Sequence, residues 1–560
     1  MRIQRLAASR KDAVRKRLLL HQSRSGGFVA ASLDAAMPLT GAGQAAVEDE
    51  RSGVDTSGVR SAARVFLTAL ALGWSADFLF YGKSLGVSVP IFTALLLAAL
   101  FTLTRLSGVR TVPTNLWLIA PIAFFSVMVF VRANAMLTFL NVVALLVLLS
   151  LLVFFLAGGR IERLGLLGYP AVAARVGLRS LIEAIYGLQT VGSIAGRRRS
   201  RGVRIALPVL RGIVVALPIL IIFGALLASA DQVFRQFLTD LFQLKSFEDL
   251  PETMTHLLLI LVVAWVVAGG LLIAISRGRM RSTESTQADA LPGTLANRPR
   301  FGFVEGATIL VMVNLLFAVF AWIQFANIFF GQPTNMPFEE YRNYVRQGFG
   351  EVLMVCVLTI ALILGVRLFA RLESPRQGVL LQLLSTFMVV LVFVMLVSAY
   401  WRMDAWEEVQ FYINTQVRIY VRAFIVWLGI VFGWLTITMW FRRDRFAIGA
   451  FVAALGFLVT INLANPDADV AAYNLKRNDE LSIRYLNLLS DDAVPVLVAG
   501  LEQTDDEVIR ASLRYELLHR FLILDSDLNR HKWQSFHLAR SQAYEMLSEL
   551  QRAGKLAVSP

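Results

Sequence analysis

The chain has 560 residues, 56% of them hydrophobic and only 17% charged, with a net charge of +14. Soluble domains carry about 25% charged residues, so this composition excludes an ordinary water-soluble globule. The lone cysteine, Cys356, rules out an intrachain disulfide or a cysteine-built metal site. The arginines cluster beside apolar runs, a pattern of topology-setting flanks that argues against a nucleic-acid interface.

Residues 1–60 are rich in Arg, Ala, Ser and Gly and lack the apolar core of a signal peptide. They read as a disordered basic cytoplasmic tail; a short basic helix on anionic lipid is the alternative. Over 61–464 the sequence predicts an all-α, polytopic membrane helix bundle of about eleven transmembrane helices, at ~20 residues per span. The apolar runs cover 63–81, 90–106, 116–131, 135–157, 205–229 and 254–275, then a hairpin within 304–371, then 379–400, 419–441 and 446–463. Between the fourth and fifth runs, 160–204 is a basic amphipathic segment. Its Leu178, Leu181, Ile182, Ile185 and Leu188 recur at helical spacing against Arg179 and Glu183, which predicts a cytoplasmic helix lying flat on the membrane.

Alternate loops separate by charge. One set holds the tail, Arg105, Arg110, 196–204, 277–281, 367–376 and 442–445; the other holds Lys83, Arg132, the acidic 231–252 loop, Glu339, Glu340 and 404–408. Lys and Arg stay on the cytoplasmic side during insertion. The expected arrangement is therefore a bacterial inner-membrane protein with its N-terminus cytoplasmic and its C-terminal unit, 465–560, extracytoplasmic.

Ionisable groups near a membrane span usually mark function. Here they gather toward the outer helix ends: Asp77, Gln324, Tyr341, Arg346, Glu351, Arg402, Glu407, Arg418 and Arg422. This set is the candidate outer-face polar cluster, read either as an outward pocket or as interfacial groups that pair with one another. The segment 406–420 has the spacing of a short interfacial helix leading into the tenth run. Only neutral polar residues such as Asn314 fall near mid-membrane, which argues against an ion-coupled transporter.

After Asn465-Pro466 the composition turns polar and helical. Asp491-Asp492 is placed to cap a helix beginning near Pro495, and Thr504-Asp-Asp-Glu507 has the form of a capping box. Ile509, Leu513, Leu517 and Phe521 make one stripe; Trp533, Phe536, Ala543, Leu547 and Leu550 make another, on a last helix. There is no Ser/His/Asp grouping, metal-ligand spacing, Walker loop or dinucleotide fingerprint. The residues thus predict no catalytic group, cofactor or metal. His519, His531 and His537 read as surface or packing residues.

Several pieces, LLFAVFAWIQFANIFFG, EEYRNYVRQGFGEVL, SAYWRM, YINTQVRIYVRAF, NPDADVAAYNLKR, RYLNLLSDDAVPVL and WQSFHLARSQA, resemble in order and spacing the polytopic proteins grouped as domain of unknown function 4173, related to the 4153 group. The resemblance runs from the seventh span to the end; earlier the likeness is one of hydropathy. The chain departs at Ile413-Asn414-Thr415, where that group has a Gly-Leu-Thr turn. The resemblance implies a multi-pass membrane protein with a helical C-terminal unit and carries over no activity. The expectation is a non-enzymatic sensing or scaffold protein, partnered by the bilayer and by a protein at the outer face. A transporter or channel, and a membrane enzyme acting on a lipid-linked substrate through the outer cluster, are the alternatives.

Overall fold

A computed structural model of the protein describes residues 56–109, 111–192, 252–283, 302–330, 338–405, 415–441, 445–477, 485–530 and 532–556. Among them every regular element is helical: α1 Thr56–Phe80, α2 Ser88–Leu106, α3 Ile119–Val131, α4 Ala135–Phe155, α5 Gly168–Gly192, α6 Glu252–Thr283, α7 Phe303–Phe330, α8 Phe338–Phe369, α9 Pro375–Ala405, α10 Gln416–Trp440, α11 Phe446–Ala464, α12 Pro466–Arg477, α13 Val494–Gln503, α14 Glu507–Arg530 and α15 Leu538–Arg552. Among the described residues, ten helices are long and apolar enough to cross a membrane: α1 to α4, with α3 extended by the 3-10 turn Pro113–Leu118, and α6 to α11. They coincide with ten of the runs expected from the sequence. The expected span 205–229, residues 1–55 and the segment 406–414 lie outside the described residues.

The outward faces of these helices are apolar: Leu67 is 69% exposed, Leu316 65% and Trp322 71%. Water would penalise such a belt at about 25 cal/mol per Å2, whereas lipid does not. Inside, the described helices share two apolar cores. One joins α1 to α6 and α11 around Leu118, Phe125, Leu148 and Leu152; the other joins α7 to α10 and the first turn of α11 around Leu310, Met388, Phe432, Leu435 and Phe446.

Contacts sort the helix ends into two sets. At one end Ser61 meets Ser107 at 3.3 Å, the Arg277 guanidinium lies 3.4 Å over the Phe154 ring, and Arg445 pairs with Glu162 at 3.6 Å. At the other end stand Asp77, the Arg132–Asn134 turn, the start of α6 and the start of α10. The C-terminal unit packs on this second end.

The position of α5 corrects the surface placement expected for it. It packs along α6, with Val172, Val176, Ser180 and Ala184 as its buried stripe. Trp265 Nε1 donates to the Leu181 carbonyl at 3.0 Å, and any side chain on Gly269 would collide with the Ser180 carbonyl. Small residues permit this approach, while the larger Leu178, expected on the apolar membrane-facing side of the helix, is 38% exposed.

The C-terminal unit has its own core of Val470, Leu486, Leu497, Leu513, Leu517, Ala543 and Leu547. Asn465 ends α11 in a left-handed conformation, φ 50°, and Pro466 starts α12, a pairing that makes an abrupt corner. Two expected caps differ. Asp506 Oδ1, not Thr504, accepts from Val508 N (2.9 Å) and Ile509 N (3.3 Å). Ser490 accepts from Asp492 N at the start of the 3-10 turn Asp491–Ala493 that precedes α13. Trp533 and Phe536 belong to a 3-10 corner before α15 and are 57% and 42% exposed, not part of its buried stripe.

Candidate functional site

The polar groups that the structure concentrates lie in the seam between the C-terminal unit and the bundle. Asn134 caps α4, its side chain accepting from Leu137 N at 3.0 Å. Its amide donates to both oxygens of Asp467, at 3.0 and 3.3 Å. Asp467 Oδ2 also accepts from Ser490 N (3.2 Å) and from the Ser490 hydroxyl, and Oδ1 accepts from the Gln416 amide at the start of α10. Asp492 Oδ2 accepts from Ala133 N (2.7 Å) and Asn134 N (3.1 Å), while Arg132 lies 3.8 Å from its Oδ1. Burial pushes the Asp492 carboxyl above its ordinary pKa, against the opposing pull of Arg132.

Arg132 continues the network inward, donating from Nε to the Asn462 carbonyl at 2.7 Å. Asn462 and Asn141 then exchange side-chain amide bonds, both 2.8 Å, between α11 and α4. On the opposite flank His537 Nε2 meets the Arg132 carbonyl at 3.1 Å, and Val87 N donates to the Phe536 carbonyl at 2.9 Å. Gly86 admits this corner because a Cβ there would meet Phe536 O and Ser535. Buried polar groups must find partners; here each buried carboxylate has several donors, and the arrangement fastens six chain segments together, 86–87, 132–141, 416, 462–467, 490–492 and 536–537.

Of the nine outer residues expected to cluster, Asp77 sits apart from this seam: His256 Nδ1 lies 2.8 and 2.9 Å from its two oxygens, and Tyr81 packs on the imidazole at 3.8 Å. Arg418 and Arg422 stand half-buried on the first turns of α10, next to Gln416. Gln324 is on α7, Tyr341, Arg346 and Glu351 on α8, and Arg402 on α9; their side chains, and Glu407 altogether, lie outside what is described. Asp467, Asp492, Asn134, Ser490 and His256 were not among the expected site residues. Their signal was present for two of them, since NPDADV and LLSDD carry the aspartates of the seam. Among the described residues no group of three or more His, Cys, Asp or Glu has metal-binding geometry.

This architecture is that of a multi-pass, all-α membrane protein with an extramembrane helical unit sealed onto one end. The family model described as Domain of unknown function (DUF4153) matches residues 119–500, more than half of the chain, and the chain belongs to that family. The match begins at α3, well before the pieces that first suggested the related group, and stops before WQSFHLARSQA. It includes Arg132, Asn134, Asp467, Ser490 and Asp492. No curated protein and no solved structure matches the chain.

Proposed function

We propose that the protein is a non-enzymatic sensing or scaffold component of a cell membrane, with the start of α1 on the cytoplasmic side and the C-terminal unit on the outer face. The observation that carries this reading is the seam. Its carboxylates are committed to main-chain amides, Asn134, Ser490 and Arg132, an arrangement suited to holding a module rigidly and not to turning over a substrate. Arg105, Arg160, Arg163, Arg277 and Arg445 lie at or beside the opposite helix ends, and basic residues favour the cytoplasm. A protein partner at the outer face is supported by Val508, Tyr515 and Leu522, seven positions apart on one exposed face of α14 at 73%, 66% and 58% exposure. A stripe of this kind on an extramembrane unit marks an interaction surface.

The experiment is in-cell crosslinking from α14 followed by purification of the full chain. A discrete partner is expected with the native protein and is lost on Tyr515→Lys with Leu522→Lys. A monodisperse, partnerless protein, or a partner indifferent to both substitutions, contradicts the reading. A phosphatase reporter fused after residue 560 is expected to be active and a cytoplasm-dependent fluorescent reporter dark; the reverse overturns the orientation.

A further inference from the structure

Arg175 and Arg179 stand at a depth where membrane helices rarely carry charge. Their helix, α5, is antiparallel to α6, with Ser180 against Gly269 and Leu181 against Trp265. Gly269 and Trp265 lie eight and twelve positions before Arg277, about 12–18 Å along a helix axis. The membrane-crossing part of α6 is Thr255–Arg277; with Arg277 at the edge of a hydrocarbon core ~30 Å thick, Arg179 falls inside that core and Arg175 about one turn nearer the Arg277 end. Both arginines are exposed, one turn apart, and among the described residues neither forms an ion pair. Glu183, one turn further, is half-buried and not paired with Arg179. Beside them Leu178 is exposed, and Leu166 and Leu167 are exposed at the foot of the helix, near Arg160 and Arg163.

We propose that the outward face of α5 binds an anionic phospholipid, with Arg175 and Arg179 gripping its phosphate and Leu178 and the neighbouring apolar surface receiving its acyl chains. Side chains on a helix lean toward its N-terminus, and the N-terminus of α5 is at the Arg277 end. Both guanidiniums therefore reach toward the headgroups of that leaflet, as long cationic side chains do when their backbone is buried in lipid. A guanidinium matches a phosphate with two parallel hydrogen bonds. A free anion would have to enter a surface flanked by leucines, whereas a lipid brings its own apolar chains to it.

The test uses the purified full chain in neutral phosphatidylcholine nanodiscs doped with phosphatidylglycerol, with co-released lipid counted by native mass spectrometry. The expected result is about tenfold weaker phosphatidylglycerol retention for Arg175→Gln/Arg179→Gln, and unchanged retention for the charge-matched Arg371→Gln/Arg376→Gln, which alters exposed arginines elsewhere at the same end. Unchanged retention in the first variant, or an equal loss in the second, overturns the proposal. Competition by millimolar inorganic phosphate would show a soluble-anion site and overturn the lipid assignment. Should the first variant not fold, a photoactivatable phosphatidylglycerol applied to the native protein decides: crosslinks within 160–186 are expected, and crosslinks only elsewhere refute it.

Discussion

Asn134 and Asp467, 333 positions apart in the chain, form a buried pair in which one amide serves both carboxylate oxygens. Because Asn134 is also the N-cap of α4, a single side chain starts a membrane helix and anchors the C-terminal unit. Asn134→Ala is expected to cost about 2–4 kcal/mol, from a lost cap at ~1 kcal/mol and an under-satisfied buried carboxylate at ~1–3 kcal/mol. Asp467→Ala removes the other partner. A double-mutant cycle read by thermal unfolding should give a coupling of about 1–3 kcal/mol; simple additivity would mean that the pair does not hold the seam.

The seam should respond to acid through His537. This imidazole is 5% exposed; its Nε2 faces the Arg132 carbonyl, and its Nδ1 is buried near Val129 without a well-formed hydrogen bond. Burial, then the nearby Arg540 guanidinium, lowers its pKa to about 4. A group whose pKa is depressed on docking stabilises the docked state above its free value, near 6.5, and loses that contribution as pH falls toward 4. The loss is at most ~3 kcal/mol. Asp492 acts in the opposite sense: its raised pKa means that docking is favoured by its protonation and weakened as pH rises through its folded value. The protection factor of Val87 N, which bonds Phe536 O, taken against the intrinsic exchange rate at each pH, should therefore fall between pH 7.5 and 5.5, and His537→Gln, which keeps a donor and cannot titrate, should flatten the response. Equal pH dependence in the two proteins would exclude His537 as its source.

The membrane helices were legible because span length and hydropathy are one-dimensional properties: α2, α4 and α11 lie within a few residues of their expected limits. The seam was not, because Asn134–Asp467 and His537–Arg132 close over hundreds of residues, and a short polar side chain at a helix end looks the same whether it meets water or a partner. The packing of α5 was hidden for another reason. Its buried stripe is Val172, Val176, Ser180 and Ala184, two of them small, so the bulkier Leu178 and Ile182 dominated the apparent apolar face. Thr504 and Asp506 show a third source of error, since both begin plausible caps and only the backbone path selects Asp506.

Within the C-terminal unit, Arg520 is 7% exposed and pairs with Glu516 at 2.7 Å. It also donates to the carbonyls of Leu486 (3.0 Å), Leu489 (2.8 Å) and Ser490 (3.1 Å). A guanidinium has five donors in a fixed fork, and a lysine cannot reach these acceptors together. Arg520→Lys should therefore destabilise the unit by about 2–3 kcal/mol and Arg520→Ala by ~3–5 kcal/mol, the latter leaving Glu516 buried and unpaired. Limited proteolysis between 478 and 484, just before the clamped turn, reads the effect; a Lys variant cut no faster than the native protein would refute the fork.

Gly269 and Gly270 on α6 offer a matched pair of substitutions with opposite signs. An added methyl at Gly269 runs into the Ser180 carbonyl, main chain that cannot rotate away, so α5 and α6 must separate. At Gly270 the nearest atom to such a methyl is the Ser180 hydroxyl at 3.8 Å, an ordinary contact. Ala is a better helix former than Gly by ~1 kcal/mol, which favours both changes equally. Gly270→Ala should thus be neutral or stabilising by up to ~1 kcal/mol. In Gly269→Ala that gain is outweighed by an overpacking cost of about 1–3 kcal/mol. Because the separation also breaks the Trp265–Leu181 bond, the Trp265 indole should shift in fluorescence in Gly269→Ala and not in Gly270→Ala. Indistinguishable unfolding temperatures and spectra for the two variants would mean that α5 does not lie on α6 at this crossing.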